Sequence, residues 1–155
     1  MNKTNVMRIL DSLKITYKTH DYSKTDALSA DSVAKALNEN PLKVFKTLVT
    51  VGKSKEHYVF VVPSTSELDL KKAAKAADEK NIEMITQKEL LPLTGYIHGG
   101  CSPIGMKKRL AVFVDSTAKG FDTIYVSGGK VGLQVELSPN DLNKATDCQF
   151  VDLQA

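Results

Sequence analysis

Apolar residues recur every three or four positions along several stretches of the chain, which is the spacing of an amphipathic helix. In the first stretch Val6, Ile9, Leu10 and Leu13 follow Thr4, whose hydroxyl can cap the helix. The five predicted helices begin after Thr4, Ser29, Asp69, Thr86 and Ser138. Asn40-Pro41 ends the second helix, because the residue before a proline avoids helical angles.

The helix that follows Asp69 combines an alanine-rich stripe with a run of lysines. We expect it to bury Leu70, Ala73, Ala74 and Ala77 and to turn Lys71, Lys72 and Lys75 outward. These lysines could contact phosphate, although a solvated helix face is more typical of such a run.

Other segments alternate apolar and polar residues or are rich in β-branched and aromatic residues, as strands are. A polar loop at 52–56 makes two of them a hairpin. The predicted strands cover residues 15–22, 44–51, 57–62, 82–85, 109–115, 123–127, 133–137 and 149–153. Several follow one another too closely for intervening helices, which predicts an α+β fold with a mixed, largely antiparallel sheet. No GxGxxG motif opens a helix after an early strand, so a doubly wound nucleotide-binding fold is disfavoured.

Composition and charge limit the possible functions. The chain has 155 residues, of which 42% are hydrophobic and 25% charged, and we expect residues 1–155 to form one globular domain. A net charge of +3 is too small to hold a long nucleic-acid backbone by electrostatics alone, but it permits a basic patch against an RNA end. Cys101 and Cys148 have no spacing suited to zinc, so we expect neither metal nor cofactor. No apolar run predicts a signal peptide or membrane span, and the cytoplasm is the expected compartment.

Lys46 stands out because it interrupts an apolar strand. In a regular strand it shares a face with Val44 and Leu48, both of which are expected in the core. A lysine in that row is costly to bury, so it either points into a cleft and meets an anion or lies at an edge with its head in water. The strand pattern leaves these two readings evenly balanced.

Two glycine-rich segments are further candidates for a site. Residues 95–105 contain four glycines, and successive free amides in such a loop can bind an anion or stabilise an oxyanion. A plain connecting loop is the alternative. Residues 127–132 carry Gly128-Gly129, which indicates at least a hairpin turn. His98 and Cys101 could form a thiol nucleophile with its base, but we do not expect the loop to place them in contact, and the sequence identifies no third group that would orient them.

These segments, in order, resemble a known family over nearly the whole chain. The matching stretches are VFKTLV at 44–49, LKKAAK at 70–75, TGY at 94–96 through Gly99-Gly100, SPIG at 102–105 with KKR at 107–109, TIYVSGG at 123–129 and VELSP at 135–139 with Asp141-Leu142. The chain is similar to the YbaK/EbsC proteins. They are bacterial Cys-tRNA(Pro) deacylases related to the editing domain of many bacterial prolyl-tRNA synthetases.

The resemblance implies a fold, an activity and a set of site residues. The fold would be a mixed sheet curled into a partial barrel with flanking helices. Lys46 and Gly99 match the catalytic positions of the family. Tyr22, Gly100, Ser127 and Gly128 would bind substrate.

The implied reaction is removal of a wrongly attached cysteine from the 3′ acceptor end of tRNA. In the family the thiol of the substrate is thought to attack its own carbonyl, which explains the missing protein nucleophile. Alternatives are a deacylase for another small amino acid, such as alanine, that uses water, and a non-catalytic module that binds tRNA or a synthetase. The expected partners are aminoacyl-tRNA and a prolyl-tRNA synthetase, with no DNA and no membrane.

Overall fold

Five helices and eight strands make up the part of the chain that the computed structural model describes, residues 3–23 and 30–155. The helices are α1 (Asn5–Ser12), α2 (Ala30–Ala36), α3 (Leu70–Ala77), α4 (Gln87–Thr94) and α5 (Pro139–Thr146). The strands are β1 (Lys18–Asp21), β2 (Phe45–Gly52), β3 (His57–Pro63), β4 (Ile82–Met84), β5 (Ala111–Asp115), β6 (Ile124–Ser127), β7 (Leu133–Leu137) and β8 (Gln149–Val151).

The larger sheet has five strands in the order β4-β2-β3-β5-β8. The short turn after β2 makes β2 and β3 an antiparallel hairpin, as the sequence predicts, and β4 pairs antiparallel to the end of β2. The long connection from β3 to β5 runs through α3, β4 and α4, which allows β3 and β5 to be parallel. β8 then adds in parallel to β5.

The smaller sheet is antiparallel, with strand order β1-β7-β6. A parallel bridge between Val44 and Tyr125 joins it to the larger sheet just before β2 begins. The predicted α+β class and the mixed, largely antiparallel pairing are confirmed. The described strands form two sheets that meet at this bridge and do not close into a complete barrel.

The helix caps follow the sequence closely. The Thr4, Asp69 and Ser138 side chains accept hydrogen bonds from the first turns of α1, α3 and α5, and Glu89 accepts one from the Thr86 amide at 2.8 Å. Ser29, the predicted cap of α2, lies outside the described residues.

Two residues predicted for buried helix faces are exposed. Leu13 is 41% exposed because α1 ends at Ser12, and Leu70 is 44% exposed because it is the first residue of α3. Lys72, predicted to be solvated, instead donates to Asp152 at 2.8 Å and to the carbonyl of Gln154 at 2.7 Å.

The main core lies between the two sheets. Phe45, Val49 and Val61 from the larger sheet pack with Ile124 and Val135 from the smaller one. Complete burial of a side chain of this size contributes about 1.5–3 kcal/mol. This core therefore fixes β2 against β6 and β7, which form opposite walls of the site described below. Among the described residues, no helix is long and apolar enough to cross a membrane.

Candidate active site

A cavity of about 400 Å³ opens where the two sheets meet. Its walls come from β2, from the face of the smaller sheet, from the loop at 95–105 and from the segment between β4 and α4. The polar lining residues are Tyr22, Lys46, Thr47, Ser64, Thr86, Gln87, His98, Gln134 and Ser127, together with Gly99 and Cys101 of the loop.

The β2 wall presents an uncovered strand edge. β4 pairs with β2 only from Thr50 onward, and the bridge to Tyr125 lies at Val44. Between these points, no described strand pairs with this edge of β2. The strand therefore offers main-chain groups and side chains to the cavity at Phe45, Lys46 and Thr47.

Lys46 supplies the positive charge of the cavity. It is half-buried and forms no hydrogen bond or ion pair with the described part of the chain. No Asp or Glu occurs among the described residues that line the cavity. An ammonium that is partly removed from water and has no counter-ion attracts an anion or another electron-rich group from a ligand.

The opposite wall is formed by two residues of the smaller sheet and by Tyr22, which follows β1. Ser127 of β6 pairs with Gln134 of β7, and the amide of Gln134 donates through Nε2 to the Tyr22 hydroxyl at 3.3 Å. Ser127, Gln134 and Tyr22 are each more than nine-tenths buried. These three residues therefore form the inner wall of the cavity, whereas His98, Met84 and Gln87 are exposed at its rim.

A polar network on the smaller sheet, which begins at His20, the cross-strand partner of Gln134 on β1, supports the inner wall. His20 Nε2 lies 3.0 Å from Glu136 Oε1, Thr123 donates to the other oxygen of Glu136, and Tyr125 donates to Glu39 at 2.9 Å. Burial acts to raise the pKa of Glu136, but the hydrogen bonds from Thr123 and His20 outweigh it and leave that pKa below its ordinary value. The network is thus held in place by charged, satisfied groups.

The glycine-rich loop at residues 95–105, here called the glycine loop, reaches the cavity at Gly99. Its φ of +87° lies in the left-handed region, which glycine adopts at little cost. The Gly100 amide donates to the Ile97 carbonyl at 3.0 Å and is used within the loop itself. The Gly99 amide has no partner among the described residues, so Gly99 is the better candidate to donate to a ligand.

Gly100 and Gly128 lie beside the cavity and are not part of its lining. A Cβ on Gly100 would come within 2.9 Å of the Val131 amide nitrogen, and one on Gly128 within 2.8 Å of the Leu133 side chain. The Gly128 carbonyl also accepts from the Thr4 hydroxyl at 2.7 Å. Both glycines therefore allow close packing: Gly100 sets the loop on the β6–β7 hairpin, and Gly128 closes the hairpin itself.

Cys101 is poorly placed to act as a nucleophile. Burial raises the pKa of its thiol to about 12, which leaves almost no thiolate at neutral pH. His98 also lines the cavity but forms no hydrogen bond with Cys101 or with any other described residue. The structure thus gives no support to the Cys–His reading.

The serine hydroxyls of the cavity, Ser64 and Ser127, form no hydrogen bond with a His, Lys, Asp or Glu among the described residues. Among the described residues, no three His, Cys, Asp or Glu side chains converge as a metal site requires. What the cavity offers is one ammonium, a free loop amide, a strand edge and several neutral polar side chains. This set can bind and polarise a polar ligand.

The polar lining residues that the sequence prediction did not assign to the site are Thr47, Ser64, Thr86, Gln87 and Gln134. Of these, Gln134 and Thr47 have buried oxygens without a described partner. Gln134 alternates with apolar residues in β7, and such a residue normally faces water. The pairing of β6 with β7 could have identified Gln134 as a site residue. It places Gln134 opposite Ser127, and cross-strand partners lie on the same face of a sheet. Thr47 follows Lys46 on the uncovered edge of β2, and only the sheet topology shows that edge to be open.

A pocket that offers an ammonium and a loop amide but no activated nucleophile among its described residues suits the class of protein that acts on an already reactive group, such as an activated ester. The family comparison agrees. Residues 24–145 match the model of the aminoacyl-tRNA editing domain. The chain belongs to this family, and the aminoacyl-tRNA editing function that the sequence predicts is confirmed at that level.

Individual relatives are consistent with this assignment. An Enterococcus faecalis protein, EbsC, to which Cys-tRNA(Pro)/Cys-tRNA(Cys) deacylase activity is assigned, is 45% identical over 97% of this chain and 93% of its own. A proline–tRNA ligase of Brachyspira hyodysenteriae is 24% identical over 68% of this chain and 18% of its own. The fold matches a crystal structure assigned as a trans-editing enzyme for prolyl-tRNA synthetase, with a TM-score of 0.84, 24% identity and 99% of each chain covered.

Proposed function

We propose that this protein is a trans-editing deacylase that removes cysteine from mischarged tRNA(Pro). The observation that carries the proposal is a cavity with one uncompensated lysine and a Cys101 thiol held protonated by burial. Such a cavity suits an ester that carries its own nucleophile. The 45% identity to EbsC, with its assigned deacylase activity, supports cysteine as the amino acid.

The proposed reaction begins with the substrate thiol. Its sulfur attacks the carbonyl carbon of the cysteinyl ester, the bond from that carbon to the ribose oxygen breaks, and the thiol proton ends on the oxygen that leaves. The products are a cyclic thiolactone and tRNA with a free terminal hydroxyl. Proline has no thiol, so correctly charged tRNA(Pro) would survive.

Each site residue has a proposed role in this reaction. Lys46 holds the terminal phosphate or ribose, and the Gly99 amide donates to the ester carbonyl as negative charge develops on its oxygen. Tyr22 and Ser127 form the inner wall against which the aminoacyl group rests. Gly100 and Gly128 act indirectly, because they allow the loop and the hairpin to pack closely.

We also propose that a prolyl-tRNA synthetase supplies the tRNA. The net charge of +3 offers little electrostatic grip on a tRNA body, and part of a proline–tRNA ligase is similar to this chain. Charged tRNA is made and used in the cytoplasm, so we propose that the protein acts there.

The test is a side-by-side deacylation of tRNA(Pro) charged with cysteine, serine, alanine or proline. Serine is the matched control, because it replaces the thiol with a weaker nucleophile of similar size. We expect cysteine to be released much faster than the other three. If alanine were released fastest, water would be the nucleophile and the thiol mechanism would be wrong. If tRNA bound but no ester were cleaved, the chain would be a non-catalytic binding module.

A further inference from the structure

The inner wall of the cavity contains an acceptor atom without a donor. Gln134 is 93% buried, since only 7% of it is exposed. Its Nε2 donates to the Tyr22 hydroxyl at 3.3 Å, whereas its Oε1 is fully buried and has no hydrogen-bond partner among the described residues. Buried amide oxygens in proteins are nearly always paired. Because Gln134 lines the cavity, the unpaired acceptor on its side chain points to a donor that a bound ligand supplies.

The neighbours of Gln134 hold its side chain in place. Gln134 lies between its cross-strand partners Ser127 and His20, and it donates to Tyr22. The His20 ring is itself held by Glu136 and packs against Tyr125. An amide tethered through its nitrogen has little freedom to turn its oxygen toward a different partner. Its orientation therefore suits recognition of a specific group.

The depth of the cavity decides which part of the substrate reaches this oxygen. Gln134, Ser127 and Tyr22 form the buried inner wall, and His98, Met84 and Gln87 form the exposed rim. The bulky adenosine and its phosphate fit the rim, where Lys46 and the solvent-facing loop are within reach. The small aminoacyl group fits the inner wall. Its strongest hydrogen-bond donor is the α-amino group, because a thiol is a weak donor.

We propose that Gln134 Oε1 accepts a hydrogen bond from the α-amino group of the bound aminoacyl ester, so that Gln134 is a substrate-positioning residue. This inference rests on the proposed function, because it assumes an aminoacyl ester as ligand. A neutral amide suits a cavity that already contains the Lys46 ammonium: it orients the amine without adding a charge. The oriented amine fixes the Cα of the substrate and thereby directs the side-chain thiol toward the carbonyl.

Thr47 supplies a second polar atom to the same cavity. Its Oγ1 is buried and has no hydrogen-bond partner among the described residues. A hydroxyl can both donate and accept, so Thr47 can pair with several parts of the ester. Gln134 is the better test, because its free oxygen can only accept.

The experiment combines two variants with two substrates. The substrates are cysteinyl-tRNA and 3-mercaptopropionyl-tRNA, which keeps the thiol and the ester but lacks the α-amino group. Gln134→Met fills a similar volume without an acceptor, and Gln134→Glu restores an acceptor. Gln149→Met, on the exposed edge of β8, is the matched control.

We expect Gln134→Met to lower kcat/KM for cysteinyl-tRNA by about tenfold to a hundredfold, the scale of a lost hydrogen bond to a charged group. Its kcat/KM for 3-mercaptopropionyl-tRNA should stay within about twofold of wild type. Gln134→Glu should recover most of the loss on cysteinyl-tRNA. Equal losses on both substrates would overturn the inference and leave Gln134 with a packing role.

A binding measurement on the wild-type protein covers the case in which Gln134→Met does not fold. The probes are two stable amides of 3′-amino-3′-deoxyadenosine, one with serine and one with 3-hydroxypropionate, which lacks the amino group. We expect the serine amide to bind about tenfold more tightly, and equal affinities would overturn the inference. If wild type discriminates between these probes but does not cleave cysteinyl-tRNA, the inference stands and the proposed function fails.

Discussion

At the scale of single residues, the site depends on a lysine placed where a strand would normally bury an apolar side chain. Lys46 pairs with Val62 across the β2–β3 hairpin, and Leu48 on the same face packs into the core beneath α3. Lys46 instead reaches the cavity, because the neighbouring edge of β2 is uncovered at this point. The charge contributes little to the stability of the fold, and we propose that it is retained for the ligand that it binds.

This placement gives a prediction for Lys46→Ala. The variant should fold with near wild-type stability, because no ion pair with the described residues is lost. Its deacylation rate should fall by about a hundredfold or more, the scale expected when an electrostatic group of an active site is removed. Urea denaturation and single-turnover deacylation measure the two effects.

Two further variants sharpen this test. Lys46→Arg should recover little activity, because a planar guanidinium does not replace a compact ammonium in a fitted site. Lys53→Ala, in the exposed turn after β2, is the matched control and should keep full activity. Wild-type deacylation by a folded Lys46→Ala protein would remove Lys46 from the site.

At the scale of elements, the site requires the glycine loop to pack closely on the β6–β7 hairpin. Gly100 makes this possible, since a Cβ there would lie 2.9 Å from the Val131 nitrogen and 3.0 Å from the backbone of Lys130. Backbone atoms of a hairpin cannot give way as the end of a side chain can. A side chain at position 100 must therefore push the loop, and Gly99 with it, away from the inner wall.

We expect Gly100→Ala to lower the free energy of unfolding by about 1–3 kcal/mol, as overpacking does. Its deacylation rate should fall further than the loss of stability explains, because the Gly99 amide is displaced. Gly120→Ala is the control: no atom lies within 4 Å of the position its Cβ would take, so its stability should match or slightly exceed wild type. Urea denaturation measures the free energy of unfolding of both variants, and deacylation kinetics measure their activity. A Gly100→Ala protein as stable and active as Gly120→Ala would contradict this prediction, because it would show that the loop accommodates a Cβ at position 100.

At the scale of the whole molecule, charge limits how the protein can hold a tRNA. The 21 Lys and Arg are nearly balanced by 18 Asp and Glu. Lys107, Lys108 and Arg109 form an exposed basic cluster directly after the glycine loop. These three can contact a few phosphates of the acceptor end and no more.

Binding of tRNA without a synthetase should therefore be weak and sensitive to salt. With about three phosphate contacts, a plot of the logarithm of the association constant for tRNA against the logarithm of the salt concentration should have a slope of about −2 to −3. Replacing Lys107, Lys108 and Arg109 together with alanine should flatten that slope. The control replaces Lys71 and Lys75, two exposed lysines of α3, and should leave the slope unchanged. A tight, tRNA(Pro)-specific complex at physiological salt would contradict this prediction and remove the need for a synthetase.

The sequence by itself determined the local structure and the family. Caps at Thr4, Asp69 and Ser138 are read directly from short-range chemistry, because a cap and the amide it binds lie within three residues of each other. Strand alternation likewise located β2, β3 and β7 to within about a residue at each end. The motif order across the chain identified the editing family.

The tertiary structure decided which edges stay uncovered and which residues face one another. Whether Lys46 meets an anion or water depended on the length of β4, which stops pairing at Thr50 and leaves the cavity beside the first half of β2. The role of Gln134 also could not be predicted from the sequence. Its place in the inner wall follows from its register with Ser127 and from its hydrogen bond to Tyr22, 112 residues away. A cap is specified by residues close in sequence, whereas an open strand edge and a buried acceptor arise only from packing between distant segments.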